Sequence, residues 1–360
     1  MKRRDFMAAG LAGAAATVAA PAVVRAQETF DWKMTTTWPP QLPFYQSGPG
    51  SAEYCAKRIE EMSDGRLRIQ VFAAGELIPA FGGFDAVSAG TVEMNHGCSY
   101  YWAGKHFATQ YFTTVPFGLN FQGINAWFYH GGGLELWNEL YDSFNLVAMP
   151  VGNSGVQMTG WFRNPIESVQ DVNGLIMRIP GLAGQVYAAL GVNVKLLPGG
   201  EIFPALERGV IDAAEWVGPY QDRRLGLHNA AKYYYTTGWH EPSTTSELMI
   251  NKGAWNSLPK DLQTIIQAAA RDTNLTGHTW LEAHNAEALK DLVDNEGVTA
   301  QPLPDDVVEQ LRKVTTEVMA AEADKDPFTK KVHESFMNFK KQHDAWAAVS
   351  EAEFQQVKTA

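Results

Sequence analysis

Three charged side chains sit in apolar or aromatic company. Arg178 interrupts the run Leu175-Ile176-Met177-Arg178-Ile179-Pro180. A guanidinium there either joins a structural ion pair or offers its planar fork to a ligand carboxylate. Glu215 follows Ile211-Asp212-Ala213-Ala214 and precedes Trp216, while Glu241 stands between His240 and Pro242. Carboxylates at strand ends are either exposed caps or site residues, because charges carried on loops of a rigid scaffold are enriched at sites.

Enzyme signatures largely fail. No GxGxxG follows a strand, and neither GxxxxGK[ST] nor HExxH occurs. His130-Gly131-Gly132-Gly133 looks like a lipase-type oxyanion loop, but such an enzyme also needs a GxSxG elbow. Gly152-Asn153-Ser154-Gly155-Val156 lacks the second glycine in its place. The glycines read more simply as a loop before a helix at 134–141, which leaves an exported hydrolase as a minor alternative.

The elements that must position these residues follow from periodicity. Residues 30–37 alternate as an opening strand that stops at Trp38-Pro39-Pro40. A helical pattern runs from Gly48 to Met62, and Leu67, Ile69 and Val71 then alternate with Arg68 and Gln70. Strands are also expected at 156–161, 175–180 and 211–214. Beyond residue 252 the pattern turns helical, over 261–271, 280–292, 305–321 and 327–348. In the last, Phe328, Val332, Phe336, Phe339, His343 and Trp346 recur every three or four residues, a stripe that packs within the chain or docks on a second subunit.

One unit occurs twice. Gly65 to Leu77 parallels Gly191 to Ile202, each closing on Gly-Glu-apolar. Ala86-Val-Ser-Ala-Gly90-Thr-Val-Glu93-Met94 parallels Ala205-Leu-Glu-Arg-Gly209-Val-Ile-Asp212-Ala213. Two related α/β halves are the reading, and the cleft between them is where a small ligand belongs.

The chain has 360 residues, 45% hydrophobic and 19% charged, enough apolar material for about two domains. A net charge of −11 gives no basic footprint for nucleic acid. Two cysteines, Cys55 and Cys98, build neither a disulfide scaffold nor a Cys₄ zinc site; they pair or remain separate buried thiols. Residues 1–26 read as a signal peptide, with Lys2, Arg3 and Arg4 before an Ala-rich apolar run ending at Val24-Arg25-Ala26. Arg3-Arg4-Asp5-Phe6-Met7 points to twin-arginine export into the periplasm. Removing this leader takes the charge to −14.

The stretches Leu206-Glu-Arg-Gly-Val-Ile-Asp-Ala-Ala-Glu215, Met177-Arg-Ile-Pro180 and Trp255-Asn-Ser-Leu-Pro-Lys-Asp-Leu-Gln263 resemble the extracytoplasmic solute receptors of TRAP transporters. The likeness spans essentially all of the mature chain and is nearest to the α-keto acid-binding branch. It implies an α/β, two-lobed periplasmic binding protein fold with a ligand cleft between the lobes and a long bridging helix. Residues 27–151 would form lobe I and 152–241 lobe II. Segments 242–326 would complete both, and 327–360 would be a C-terminal helix available for a homodimer. The resemblance implies no enzyme activity. Its function would be capture of a small 2-oxo monocarboxylate, pyruvate-like, with Na⁺ or Ca²⁺, for delivery to the TRAP membrane permease subunits. Arg178 would clamp the carboxylate. Gln157, Glu215, the Trp216 carbonyl and Glu241 would hold the cation, and Tyr100, Tyr101 and Asn153 would close the pocket. A receptor for lactate or another hydroxy acid would share these residues and differ in pocket volume; one serving a sensor kinase would differ in partner.

With those roles, four protein oxygens and two from the ligand make six hard donors, suited to Na⁺ or Ca²⁺. Glu215, Glu241, the ligand and Arg178 sum to −2. Ca²⁺ cancels that charge and Na⁺ leaves −1.

Overall fold

The computed structural model describes residues 28–46 and 48–359; the leader expected at 1–26 lies outside them. Eleven strands occur among the described residues: β1 (Phe30–Thr36), β2 (Leu67–Phe72), β3 (Met94–Gly97), β4 (Leu146–Asn153), β5 (Gly160–Phe162), β6 (Ile176–Arg178), β7 (Asn193–Lys195), β8 (Ala213–Ala214), β9 (Tyr233–Tyr235), β10 (Thr245–Asn251) and β11 (Thr299–Gln301). They form two sheets, ordered β2-β1-β3-β10-β4 and β11-β9-β5-β8-β6-β7.

The repeat seen in the sequence is a repeat in space. In the first sheet β1 is flanked in parallel by β2 and β3; in the second, β6 is flanked in parallel by β7 and β8. Each half is therefore a strand–helix–strand–helix–strand unit with the same strand order. The repeated acids have matching work. Glu93 accepts from the Lys33 backbone N–H at 2.8 Å, and Asp212 from that of Ile176 at 2.9 Å, each tying its strand to the central one. Both sheets then take an antiparallel strand next to the unit, β10 beside β3 and β5 beside β8.

These added strands cross between the lobes. β5 follows directly after β4 of the first sheet, and β10 directly after β9 of the second. The connections 154–159 and 236–244 run side by side, joined by Gln157 N–H to Glu241 O at 3.0 Å and Ser154 N–H to Thr244 O at 3.0 Å.

The helical stretches expected at 261–271 and 280–292 are one helix of 36 residues, Lys260–Asn295. Its first half buries Leu262, Ile266 and Ala269 against lobe I, and its second half buries Leu281 and Leu292 against lobe II. Tertiary burial on both sides carries the helix through the polar middle that periodicity alone reads as a break. At Gly277 the helix touches Gly50 so closely that a Cβ would lie 2.5 Å from the Gly50 Cα. The helix expected from Gly48 starts at Ala52, because the Ser51 side chain accepts from the Tyr54 N–H and caps it there. The strand expected at 156–161 is confined to Gly160–Phe162, since 154–159 pairs with the neighbouring crossover.

Helix Pro327–Val349 begins by packing at home. Val332 and Phe336 join the lobe I core, and Ser335 accepts from the Trp127 indole at 3.2 Å. The single C-terminal helix expected over 327–360 is broken at Ser350, whose φ −122° and ψ −96° are not helical, and a second helix follows at Glu351–Thr359. Trp346 and Val349 of the first and Phe354 and Val357 of the second are 58–71% exposed. Cys55 and Cys98 are free and buried, and burial pushes the Cys55 thiol up to about 12. No helix among the described residues is long and apolar enough to cross a membrane.

One buried acid reports on the lobe I core. Glu247 in β10 accepts from the Trp102 indole and from Tyr141 Oη at 2.8 Å, and burial pushes its carboxyl up to about 7. A carboxyl whose pKa rises from 4.5 on folding costs stability as pH rises through that window, about 3 kcal/mol in full. The difference in unfolding free energy between Glu247→Gln and wild type should therefore move in the variant's favour between pH 5 and pH 8. Denaturant melts at the two pH values measure it; a difference independent of pH refutes the assignment.

Candidate functional site

Strand register brings Arg178 and Glu215 together. β6 and β8 run parallel with Arg178 opposite Ala214, so Glu215 leaves the carboxyl end of β8 beside the guanidinium. The carboxyl ends of parallel strands are where open α/β sheets bind ligands. Both residues are almost fully buried. Arg178 Nη1 is ion-paired to Glu215 Oε1 and donates to the Glu215 carbonyl at 3.0 Å, while Nε donates to Leu197 O at 3.2 Å. Its carbon Cζ lies 5.6 Å from the Trp216 ring centroid. Burial works against the Arg178 charge, but Glu215, Tyr101 and Tyr100 outweigh it and hold the guanidinium above its usual pKa. Gly160 makes the close approach to β8 feasible: at φ +128° its Cβ would fall 2.5 Å from Ala214 O.

The crossover connections 154–159 and 236–244 supply the next group. Gln157 donates from Nε2 to Ser154 Oγ at 3.2 Å, and Glu241 accepts from Thr244 Oγ1. Ligand atoms of Glu215, His240 and Glu241 lie within 4.8 Å of one another, all three residues buried. Burial, then Glu215, pushes the Glu241 carboxyl well above the usual carboxylate range. His240, which motif reading passed over, is fully buried, with Nε2 3.8 Å from Glu215 Oε2. Its one sequence signal is adjacency to Glu241.

Lobe I closes the other side. Tyr100 and Tyr101 lie in the turn Ser99–Trp102 directly after β3, the position that Glu215 and Trp216 occupy after β8. Their rings meet edge to face at 4.6 Å. Tyr100 faces the start of the helix after β6, where a Cβ on Gly181 would lie 3.4 Å from its ring. Trp38, after β1, stands edge-on to Trp216 at 6.3 Å and donates from its indole to His96 Nδ1 at 2.7 Å. One apolar cluster thus spans the seam, and the lobes are closed on each other.

Asn153 sits apart from this group in its bonding. Its Nδ2 donates to Ser243 Oγ and Thr245 Oγ1 at 2.9 and 3.3 Å, and its Oδ1 accepts from the Gly155 N–H and Ser243 Oγ. The amide is fully occupied in pinning the two crossovers together. The glycines after His130 join two helices, Phe121–His130 and Gly133–Asp142, with Gly131 and Gly133 packed on Trp127. Ser154 Oγ donates to Gly155 O at 2.8 Å.

Several polar atoms in the centre are buried with no protein partner: Arg178 Nη2, Gln157 Oε1, Glu215 Oε2 and both ring nitrogens of His240. Leaving such groups unmatched costs of order 1–3 kcal/mol each, which marks a place built for something else to bind. A carboxylate satisfies the free guanidinium arm. A hard cation satisfies the carboxylate and amide oxygens.

Comparison with known proteins agrees with this architecture. Residues 36–326 match the family described as bacterial extracellular solute-binding protein, family 7. A relative from Nostoc sp., named monocarboxylate 2-oxoacid-binding periplasmic protein, is 47% identical over 324 residues, 90% of this chain and 88% of its own. A TRAP transporter solute binding protein from Bordetella bronchiseptica, a dimer with calcium and picolinate in its occupied site, superposes with TM-score 0.89 at 39% identity, covering 92% of this chain and 98% of that one. A TRAP periplasmic solute binding protein from Pseudoalteromonas atlantica, with bound sodium and pyruvate, gives TM-score 0.88 at 42% identity over 91% and 99% of the two chains. The fold, the repeat and these relatives together place the chain in bacterial extracellular solute-binding protein family 7, the TRAP solute receptors.

Proposed function

We propose that this protein captures a small 2-oxo monocarboxylate, with pyruvate the reference ligand, together with Na⁺ or Ca²⁺, and passes it to the membrane permease of a TRAP transporter. The observation that carries the reading is the unmatched buried set of Arg178 Nη2, Gln157 Oε1 and Glu215 Oε2. A 2-oxo acid offers one carboxylate oxygen and its keto oxygen as a chelating pair. Arg178 clamps the carboxylate. Gln157, Glu215, Glu241 and the Trp216 carbonyl complete the cation's oxygen shell, and the ion offsets carboxylates that burial otherwise disfavours. Tyr100 and Tyr101 close the pocket from lobe I, while Asn153 acts through the crossovers it joins.

Ligand and ion span both lobes and the crossovers, so they stabilise the closed form over an open one. The protein works by this closure as a carrier and catalyses no reaction. Its leader directs it to the periplasm. The exposed Trp346, Val349, Phe354 and Val357 suit a second copy of the chain, joined through the two C-terminal helices.

Arg178→Lys keeps the charge and loses the fork. Calorimetry should show pyruvate affinity reduced at least about a hundredfold; unchanged affinity rejects the clamp. Treatment with chelator in sodium-free buffer should weaken pyruvate binding at least about tenfold, with recovery on adding Ca²⁺ or Na⁺. Full affinity in cation-free buffer removes the ion from the site. Light scattering should give twice the chain mass for wild type and the single-chain mass for Trp346→Glu with Val357→Glu, a dimer unaffected by these changes placing the interface elsewhere.

A further inference from the structure

Asp222, in the helix Pro219–Leu225, is almost fully buried and makes four hydrogen bonds through two oxygens. Its Oδ2 accepts from the Trp161 indole at 2.9 Å and from Tyr234 Oη at 2.8 Å. These two residues are paired across β5 and β9, their rings stacked at 4.0 Å. Its Oδ1 accepts from the backbone N–H groups of Val217 and Gly218, at 2.9 and 3.0 Å. The Val217 N–H belongs to the same peptide unit as the Trp216 carbonyl. A trans peptide is planar with N–H and C=O pointing opposite ways, so fixing one end aims the other.

We infer that Asp222 is the positioning residue of the cation site: by holding the Val217 N–H it points the Trp216 carbonyl away from itself, as a preset oxygen ligand. The inference rests on the proposed role of that carbonyl. The following peptide is fixed at both ends, with the Gly218 N–H on Asp222 and Val217 O accepting from the Met158 N–H at 3.1 Å. The Trp216 carbonyl is left free: among the described residues no donor reaches it. Donation of the Val217 N–H to a carboxylate also polarises the amide and raises the negative charge on that oxygen. Partners behind a ligand commonly set metal affinity by ten- to hundredfold. Asp222 serves this role for a backbone ligand, through one peptide plane.

Trp216-Val217 is the single Trp-Val step in the sequence, so ¹³C′-Trp, ¹⁵N-Val labelling isolates this one peptide by NMR. In wild type the Val217 amide should be protected from solvent exchange, and Ca²⁺ added with pyruvate should shift the Trp216 carbonyl. In Asp222→Asn the Ca²⁺ affinity should fall at least tenfold and the carbonyl shift should shrink, because an amide turns donors toward one of the two donor pairs. Tyr234→Phe removes one support of Asp222 and leaves the peptide contact, so its Ca²⁺ affinity should stay within threefold of wild type. Equal losses in Tyr234→Phe and Asp222→Asn would mean general loosening and overturn the inference. So would unchanged Ca²⁺ affinity in Asp222→Asn, or a Val217 amide that exchanges freely in wild type, which needs no variant. A wild-type carbonyl indifferent to both Ca²⁺ and Na⁺ overturns the assignment of Trp216 as a ligand, and the inference with it.

Discussion

Two carboxylates and one guanidinium share a volume that water does not reach, and the rest of the molecule is arranged around that imbalance. Glu215 is neutralised by Arg178, to which strand register binds it. Glu241 has no such partner, and its environment favours the protonated form. Buried like charges at this spacing are costly unless a counter-charge joins them. The fold does not supply that charge from its own side chains. It supplies oxygens and one imidazole. Under the proposed function, affinity for an anion and a need for a cation have one origin, and an acidic protein holds an acidic ligand without contradiction.

The duplicated unit explains how such a cluster is assembled at all. Corresponding strand ends face each other across the seam, with the turn after β3 carrying Tyr100 and Tyr101 and the turn after β8 carrying Glu215 and Trp216. Arg178 ends β6, and Trp38 follows the end of β1. The two halves share a geometry and differ in chemistry, one presenting aromatic walls and the other charge. The acids Glu93 and Asp212 are equivalent in place and in work, since both support a sheet.

Much of this was legible in the residues. Arg178 stood out as a guanidinium inside an apolar strand, open to an ion pair or a ligand carboxylate, and the repeat was visible in its glycines and acids. What escaped reading has a common physical cause. Strands of two or three residues, such as Ala213–Ala214, carry too little periodicity to show their partners. The placement of β10 between β3 and β4 is decided by pairing across about a hundred residues or more. The long helix looked broken because its two halves serve different cores. Glu247 and Asp222 read as ordinary polar residues, since their partners are indoles, phenols and amides distant in sequence. Asn153 carried no mark of being fully bonded in place.

The exchange of strands between sheets has a consequence for how the chain must fold. The first sheet lacks its fourth strand until β10 has been made, and both lobe cores lack the side chains of helix Lys260–Asn295 until that helix exists. A ribosome emitting the chain from its start cannot release a finished first lobe while the second is still being made. Pairing over such separations is slow, because loop closure comes before the contacts that reward it. The two lobes are therefore one cooperative unit in synthesis, and cutting the chain between them yields no intact half.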